Sequence, residues 1–207
     1  MYLSNHFHIM KVNLTTMSEL SNFHKSPEEI QSEAQIIELC KQDPKAFKVI
    51  YDSYFSQILT YVYNRMDDKE MAIDVAQQTF LKALKNIHKY ENRGLPFSSW
   101  LYRIAHNELN EVFRKNSKLR TVNLTDHFSN LLQQEMEDEG LSDWLTKLKT
   151  VIKGLKEADF RIVEMRFFEN RPFSEIGEIL EITENNAKVK TYRILDKMKT
   201  MLLSVNA

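Results

Sequence analysis

The segment Phe173 to Leu195, FSEIGEILEITENNAKVKTYRIL, decides how the chain is read. Its apolar residues fall in two groups on either side of a break at Glu181-Ile182-Thr183. Phe173, Ile176, Ile179 and Leu180 make the first group. Ala187, Ile194 and Met198, with Thr191 on the same face, make the second. Spacings of three, four and seven place each group on one stripe of a helix. Thr183 is suited to cap the second helix, because its hydroxyl can accept from an amide that has no intrahelical partner. The opposite face of that helix shows Asn185, Asn186, Lys188, Lys190, Tyr192, Arg193 and Lys197. This is the pattern of a helix-turn-helix whose second helix can enter a major groove. An αα-hairpin with a solvated basic face fits the same residues, so the rest of the chain has to choose.

Composition limits the choice. The chain has 207 residues, enough for two small domains or for one domain with tails. Only 4 Gly and 4 Pro, with apolar runs of helical period, argue for an all-α protein. Cys40 is the single cysteine, which excludes an intramolecular disulfide and fits a reducing compartment. No apolar run approaches membrane-spanning length. The N-terminus lacks a basic start followed by a sustained apolar run, so neither membrane insertion nor a secretion signal is expected. The expected location is cytoplasmic.

The net charge of -1 hides an uneven distribution. Residues 121–146 carry six acidic groups and no Lys or Arg, whereas 47–120 and 147–207 each carry an excess of basic groups. The reading is two helical domains joined by a flexible acidic linker. Overall charge offers little pull on a polyanion, so nucleic-acid contact must come from local basic faces.

Upstream, residues 1–34 mix polar types without a firm period, and disorder is expected there. A helical block begins near Glu33, breaks at Asp43-Pro44 and resumes at Lys45, with Phe47, Ile50, Tyr51, Tyr54, Ile58, Tyr61 and Val62 inward. After a turn at Asp67-Asp68, a helix from Lys69 to His88 buries Ala72, Val75, Ala76, Phe80, Ala83, Leu84 and Ile87. Its outer face carries Asp74, Gln77, Gln78 and Leu81. Gly94 and Pro96 mark a loop, and a helix from about Ser98 to Lys115 follows it. Trp100 falls on that helix's apolar stripe, opposite Arg103, Asn107, Asn110 and Arg114. Helices over 147–155 and 158–168 lead into the helix-turn-helix. The expected domains are 35–120 and 147–207, with 121–146 as linker.

The blocks AIDVAQQTFLKAL (72–84), PFSSWLYRIAHNELNEVFRKN (96–116) and 154–198, in this order and separation, resemble bacterial RNA polymerase sigma factors of the extracytoplasmic-function (ECF) group. The resemblance covers roughly 45–200. It implies that the first domain clamps a coiled coil of the polymerase β′ subunit and opens the promoter −10 element, while the second reads the −35 element. Carried over, Asp74, Gln77, Gln78 and Leu81 would bind polymerase. Arg93, Arg103, His106, Asn107, Arg114 and Lys115 would meet the −10 strand, where stacking and cationic grooves hold single-stranded bases. Asn185, Asn186, Lys188, Lys190, Tyr192 and Arg193 would meet the −35 duplex. The resemblance also implies an anti-sigma partner wedged between the domains. The chain departs from the family pattern at Gln78, where a carboxylate is usual, at Glu181, where Gly is frequent, and at Pro172 and Thr191.

Three other readings are open, and one of them, a pure protein-interaction module, leaves the Lys188 to Arg193 face unexplained. A helix-turn-helix regulator would bind operator DNA without polymerase, as a symmetric dimer. An enzyme would need a constellation that is missing: the chain has no HExxH pair, CxxC or glycine-rich phosphate loop. No catalytic residue, cofactor, metal or small-molecule substrate is expected.

Overall fold

A computed structural model of the chain describes residues 25–66, 68–115 and 139–204, and side chains from residue 146 onward in the last of these. The expectations for residues 1–24, for Asp67 and for most of the acidic linker lie outside the described residues. Among those described, every regular element is a helix. Helix α1 spans Pro27–Gln42, α2 Phe47–Tyr63, α3 Lys69–Asn86 and α4 Phe97–Lys115. Helix α5 spans Glu139–Lys153, α6 Glu157–Val163, α7 Phe173–Leu180 and α8 Glu184–Ser204.

Helix α1 corrects the expectation that order begins near Glu33. It starts six residues earlier because Ser26 and Glu29 form a reciprocal cap. The Glu29 amide donates to Ser26 Oγ at 3.2 Å, and the Ser26 amide donates to Glu29 Oε2 at 2.7 Å. Pro27 stands at the first helical position, where it sacrifices no hydrogen bond. The helix stops at Asp43, held extended by the proline that follows it. Helix α5 corrects the other boundary, since it begins at Glu139, inside the stretch expected to be linker.

Helices α2, α3 and α4 pack on one another around Ile58, Val62, Ala72, Ala76, Ala83, Leu101, Ala105 and Leu109, all fully buried. Trp100 is core, as its position on the apolar stripe indicated. It packs with Tyr90 and Phe97 in a three-ring cluster, with centroids 4.9 to 5.3 Å apart. That cluster underlies the 91–96 loop. Tyr51 differs from expectation: it is 36% exposed, stacked on Phe55 at 4.7 Å and edge-on to Phe80 at 5.1 Å.

At the other end, α8 packs against α5, α6 and α7. Leu148, Val151, Ile152, Phe160, Val163, Ile194 and Met198 form a core of their own. Ile176, Ile179 and Ala187 do not belong to it. They join the same buried cluster as α2–α4, so the first helix of the helix-turn-helix closes the core of the N-terminal half.

Candidate nucleic-acid and polymerase interfaces

The turn between α7 and α8 is built as the sequence indicated, with one substitution of chemistry. Glu181 takes the left-handed conformation, φ 55° and ψ 41°, at the position where glycine is favoured. The Ile182 amide reaches back to the Gly177 carbonyl at 2.9 Å and closes the helix end. Thr183 Oγ1 then accepts from the Asn186 amide at 3.2 Å and starts α8. On α8, Ala187, Thr191, Ile194 and Met198 are buried. Asn185, Asn186, Lys188, Lys190, Tyr192 and Arg193 are all exposed. Tyr192 is 55% exposed, and Val189, 39% exposed, shares its face. The six residues assigned to the −35 duplex therefore share one open, basic face.

The outer face of α3 is equally open. Asp74, Gln77, Gln78 and Leu81 are exposed, with Leu81 at 41%. Phe80 points inward from the same helix to the Tyr51–Phe55 stack, so an exposed tyrosine borders this face. Periodicity alone assigned Tyr51 to the core, and only the packing reveals it as surface.

The third group has a different environment. Arg114 and Lys115 are exposed at the end of α4, and Lys115 pairs within its own helix with Glu111 at 2.7 Å. The other four residues are occupied by the C-terminal half. Arg103 Nη1 donates to Glu178 Oε1 at 2.7 Å, and Arg93 Nη1 approaches Glu178 Oε2 at 3.4 Å. Asn107 Nδ2 donates to Glu181 Oε2 at 3.3 Å. The Arg161 guanidinium lies against His106, with Nη1 3.1 Å from Nε2. Nearby, Ser99 Oγ donates to Glu175 Oε2 at 3.2 Å.

Two buried arginines anchor this contact. Arg65, at the end of α2, bonds the Tyr61 carbonyl at 2.7 Å, lies over the Tyr61 ring at 3.7 Å and pairs with Glu164. Arg171 is fully buried, pairs with Glu169 and, at 3.0 Å, with Glu175, and covers the Tyr102 ring of α4 at 4.2 Å. Sequence reasoning named neither arginine, and it named Glu33 only as the start of a helical block. The buried Glu33 carboxylate accepts from the Phe97 amide at 2.9 Å and from Lys25 at 2.7 Å, so α1 pins the start of α4 beside the 91–96 loop.

Burial, with Arg65 opposing it, raises the Glu164 carboxyl to about 7. Burial, then Arg161 and Arg65, pushes the His106 imidazole down to about 3. Glu157 and Lys190 flank the same hollow as His106 and Arg161. A depressed imidazole adds stability to this packing that is complete above its ordinary 6.5 and lost as pH falls toward 3. The raised carboxyl works the other way: its contribution is complete below 4.5 and lost as pH rises through about 7. In a 1H–13C NMR titration of the full chain, the His106 ring is expected to show no inflection near 6.5. Titration of that ring near 6.5 would mean that Arg161 does not lie against it in solution.

Among the described residues no group of His, Cys, Asp and Glu is placed to hold a metal ion, and no helix is long and apolar enough to cross a membrane. What the geometry defines is a two-part helical protein with an open basic recognition helix and an open mixed face on α3. Comparison with known proteins supplies the family. Residues 50–119 match Sigma-70 region 2, and residues 145–198 match Sigma-70, region 4. The chain is 27% identical over 188 residues to the ECF RNA polymerase sigma factor BldN of Streptomyces coelicolor, covering 86% of this chain and 70% of that protein. It is 28% identical over 186 residues to the ECF RNA polymerase sigma factor SigW of Bacillus subtilis, covering 84% of this chain and 98% of the relative. Among solved structures it is similar to CnrH in complex with the cytosolic domain of CnrY, with a TM-score of 0.49 and 15% identity over 84% of this chain and 96% of that one. The chain belongs to the ECF group of RNA polymerase sigma factors. The operator-binding regulator is set aside, because the N-terminal match is to a sigma region and not to a dimerisation or sensor domain.

Proposed function

We propose that the chain divides promoter recognition between its halves. Residues 35–120 bind core polymerase through Asp74, Gln77, Gln78 and Leu81 on α3, and Tyr51 extends that face. The same half engages the −10 strand through Arg93, Arg103, His106, Asn107, Arg114 and Lys115. Residues 147–207 read the −35 duplex through the exposed face of α8. An anti-sigma protein, implied by the family resemblance, is the expected antagonist. The observation that carries this reading is the order of the two family regions, joined to a helix on which Lys188, Lys190 and Arg193 are all exposed.

The linker suits this work. Fully extended, the roughly 26 residues of 121–146 reach about 85 Å, and as a coil they average about 25–30 Å. The helical start of α5 shortens that reach somewhat, yet leaves ample length for the halves to separate.

The test is run-off transcription from a genomic library with core polymerase of the same bacterium. Transcripts are expected downstream of one shared pair of motifs. Lys188→Glu with Arg193→Glu should lower them by about tenfold or more, since phosphate and base-edge contacts are lost together. Core polymerase that neither binds the protein nor initiates with it would refute the assignment.

A further inference from the structure

We propose that the C-terminal half acts as a built-in competitor of the −10 strand, with the acidic face of α7 taking the place of the nucleic-acid backbone. The proposal rests on the assignment of the α4 face to the −10 strand. Glu175, Glu178 and Glu181 recur every third residue, along one edge of α7 and its left-handed end. Each accepts from a different part of α4 or of the loop before it. Glu175 takes Ser99 at 3.2 Å, Glu178 takes Arg103 at 2.7 Å and Arg93 at 3.4 Å, and Glu181 takes Asn107 at 3.3 Å. A carboxylate presents to a guanidinium much the same charge and oxygen geometry as a phosphate. Three of the six groups assigned to the strand, Arg93, Arg103 and Asn107, are thereby engaged by the protein's own acids, and strand and helix exclude one another there.

Apolar packing fixes the occupant. Ile176 and Ile179 of α7 are buried in the cluster formed by α2–α4, so α7 is seated by its apolar stripe and the glutamates border that seat. Arg65–Glu164 and the Tyr102–Arg171 stack lock it from two further directions. The other two interfaces stay open in the same arrangement. The α3 face and the basic face of α8 are both exposed, so a closed chain can still meet polymerase and a −35 duplex. What it cannot do is hold the melted strand. In this view, separation of the halves is the step that licenses strand capture.

The test uses the full chain, a fluorescein-labelled single-stranded 12-mer of mixed sequence, and fluorescence anisotropy at low salt. Glu178→Gln with Glu181→Gln keeps the shape of both side chains and removes their charge. These pairs are partly exposed and individually weak, so the double variant should bind the strand about fivefold or more tighter. Arg103→Ala should weaken strand binding in both backgrounds. A second measurement leaves the glutamates untouched: spin labels at the exposed Lys85 and Lys199 should move apart when the 12-mer is added.

The outcomes are separable. If Arg103→Ala weakens binding, but the glutamine variant binds as the parent does and the labels stay put, the −10 face stands and the competitor is refuted. If Arg103→Ala leaves strand binding unchanged in both backgrounds, the −10 assignment itself fails and takes the competitor with it. Tighter binding by the glutamine variant together with label separation on adding DNA establishes the competitor.

Discussion

Arg171→Ala should unseat the C-terminal half, lowering stability to denaturant by about 3–5 kcal/mol. The side chain is fully buried between two carboxylates and an aromatic ring. Burial opposes its charge, but Glu169, Tyr102 and Glu175 outweigh that and hold the guanidinium more firmly protonated than usual. Truncation leaves Glu175, itself only 3% exposed, without its cation, and leaves the Tyr102 ring facing a void. An uncompensated buried charge is the costly part. Replacing both members of a buried pair by apolar groups of similar volume often costs little. Arg171→Met combined with Glu175→Leu should therefore lose clearly less than Arg171→Ala alone. Urea titration followed by circular dichroism reads both. A loss below about 1 kcal/mol for Arg171→Ala would show that this network is not what seats α7.

How much of this was legible in the sequence depends on the range of the interaction. The helix-turn-helix was legible because its signals are local: a Thr183 cap and apolar residues at helical spacing on each side of a short break. Trp100 was legible for the same reason, since it falls on the stripe of α4. The start of α1 was legible in principle. Ser26-Pro27-Glu28-Glu29 carries both the capping box and the first-turn proline, but the polar stretch around it obscured the signal. The start of α5 was hidden by charge, because an acidic first turn favours a helix N-terminus and also resembles a solvated tether.

What lay beyond reach was everything that joins distant segments. Arg103 meets Glu178 across 75 positions, and Arg65 meets Glu164 across 99. Each looks like an ordinary surface charge in its own helix. Arg171 and Glu175 stand only four positions apart, yet nothing local says that the pair is buried or that Tyr102 covers it. Three of the residues assigned to the −10 strand, Arg93 in the loop and Arg103 and Asn107 on α4, are engaged with α7 and its end, which no periodicity could show. Tyr51 errs in the opposite direction. It sits on an apolar stripe wide enough to reach the surface, where it stacks on Phe55 and remains open.

The helix-turn-helix itself depends on one glycine, for reasons of space. Gly177 lies inside α7, where exchange for alanine would ordinarily gain up to about 1 kcal/mol in helix propensity. A Cβ there would lie 2.8 Å from the Ile182 carbonyl oxygen and 3.2 Å from the Glu184 amide nitrogen. Both are backbone atoms of the turn, so no rotamer change relieves the clash. Relief requires moving the start of α8, and overpacking of this kind costs about 1–3 kcal/mol. The clash outweighs propensity, so Gly177→Ala should be destabilising and should displace the basic face from its seat. Gly154 supplies the control within the same domain. A Cβ there meets the Met201 Cε methyl at 2.7 Å, the far end of a flexible side chain that can turn aside. Gly154→Ala should stay within about 0.5 kcal/mol of the parent. Thermal unfolding of both variants, with gel-shift assays on a −35 duplex, checks the contrast. Equal tolerance at the two positions would mean that the backbone approach at Gly177 is not what sets the angle between α7 and α8.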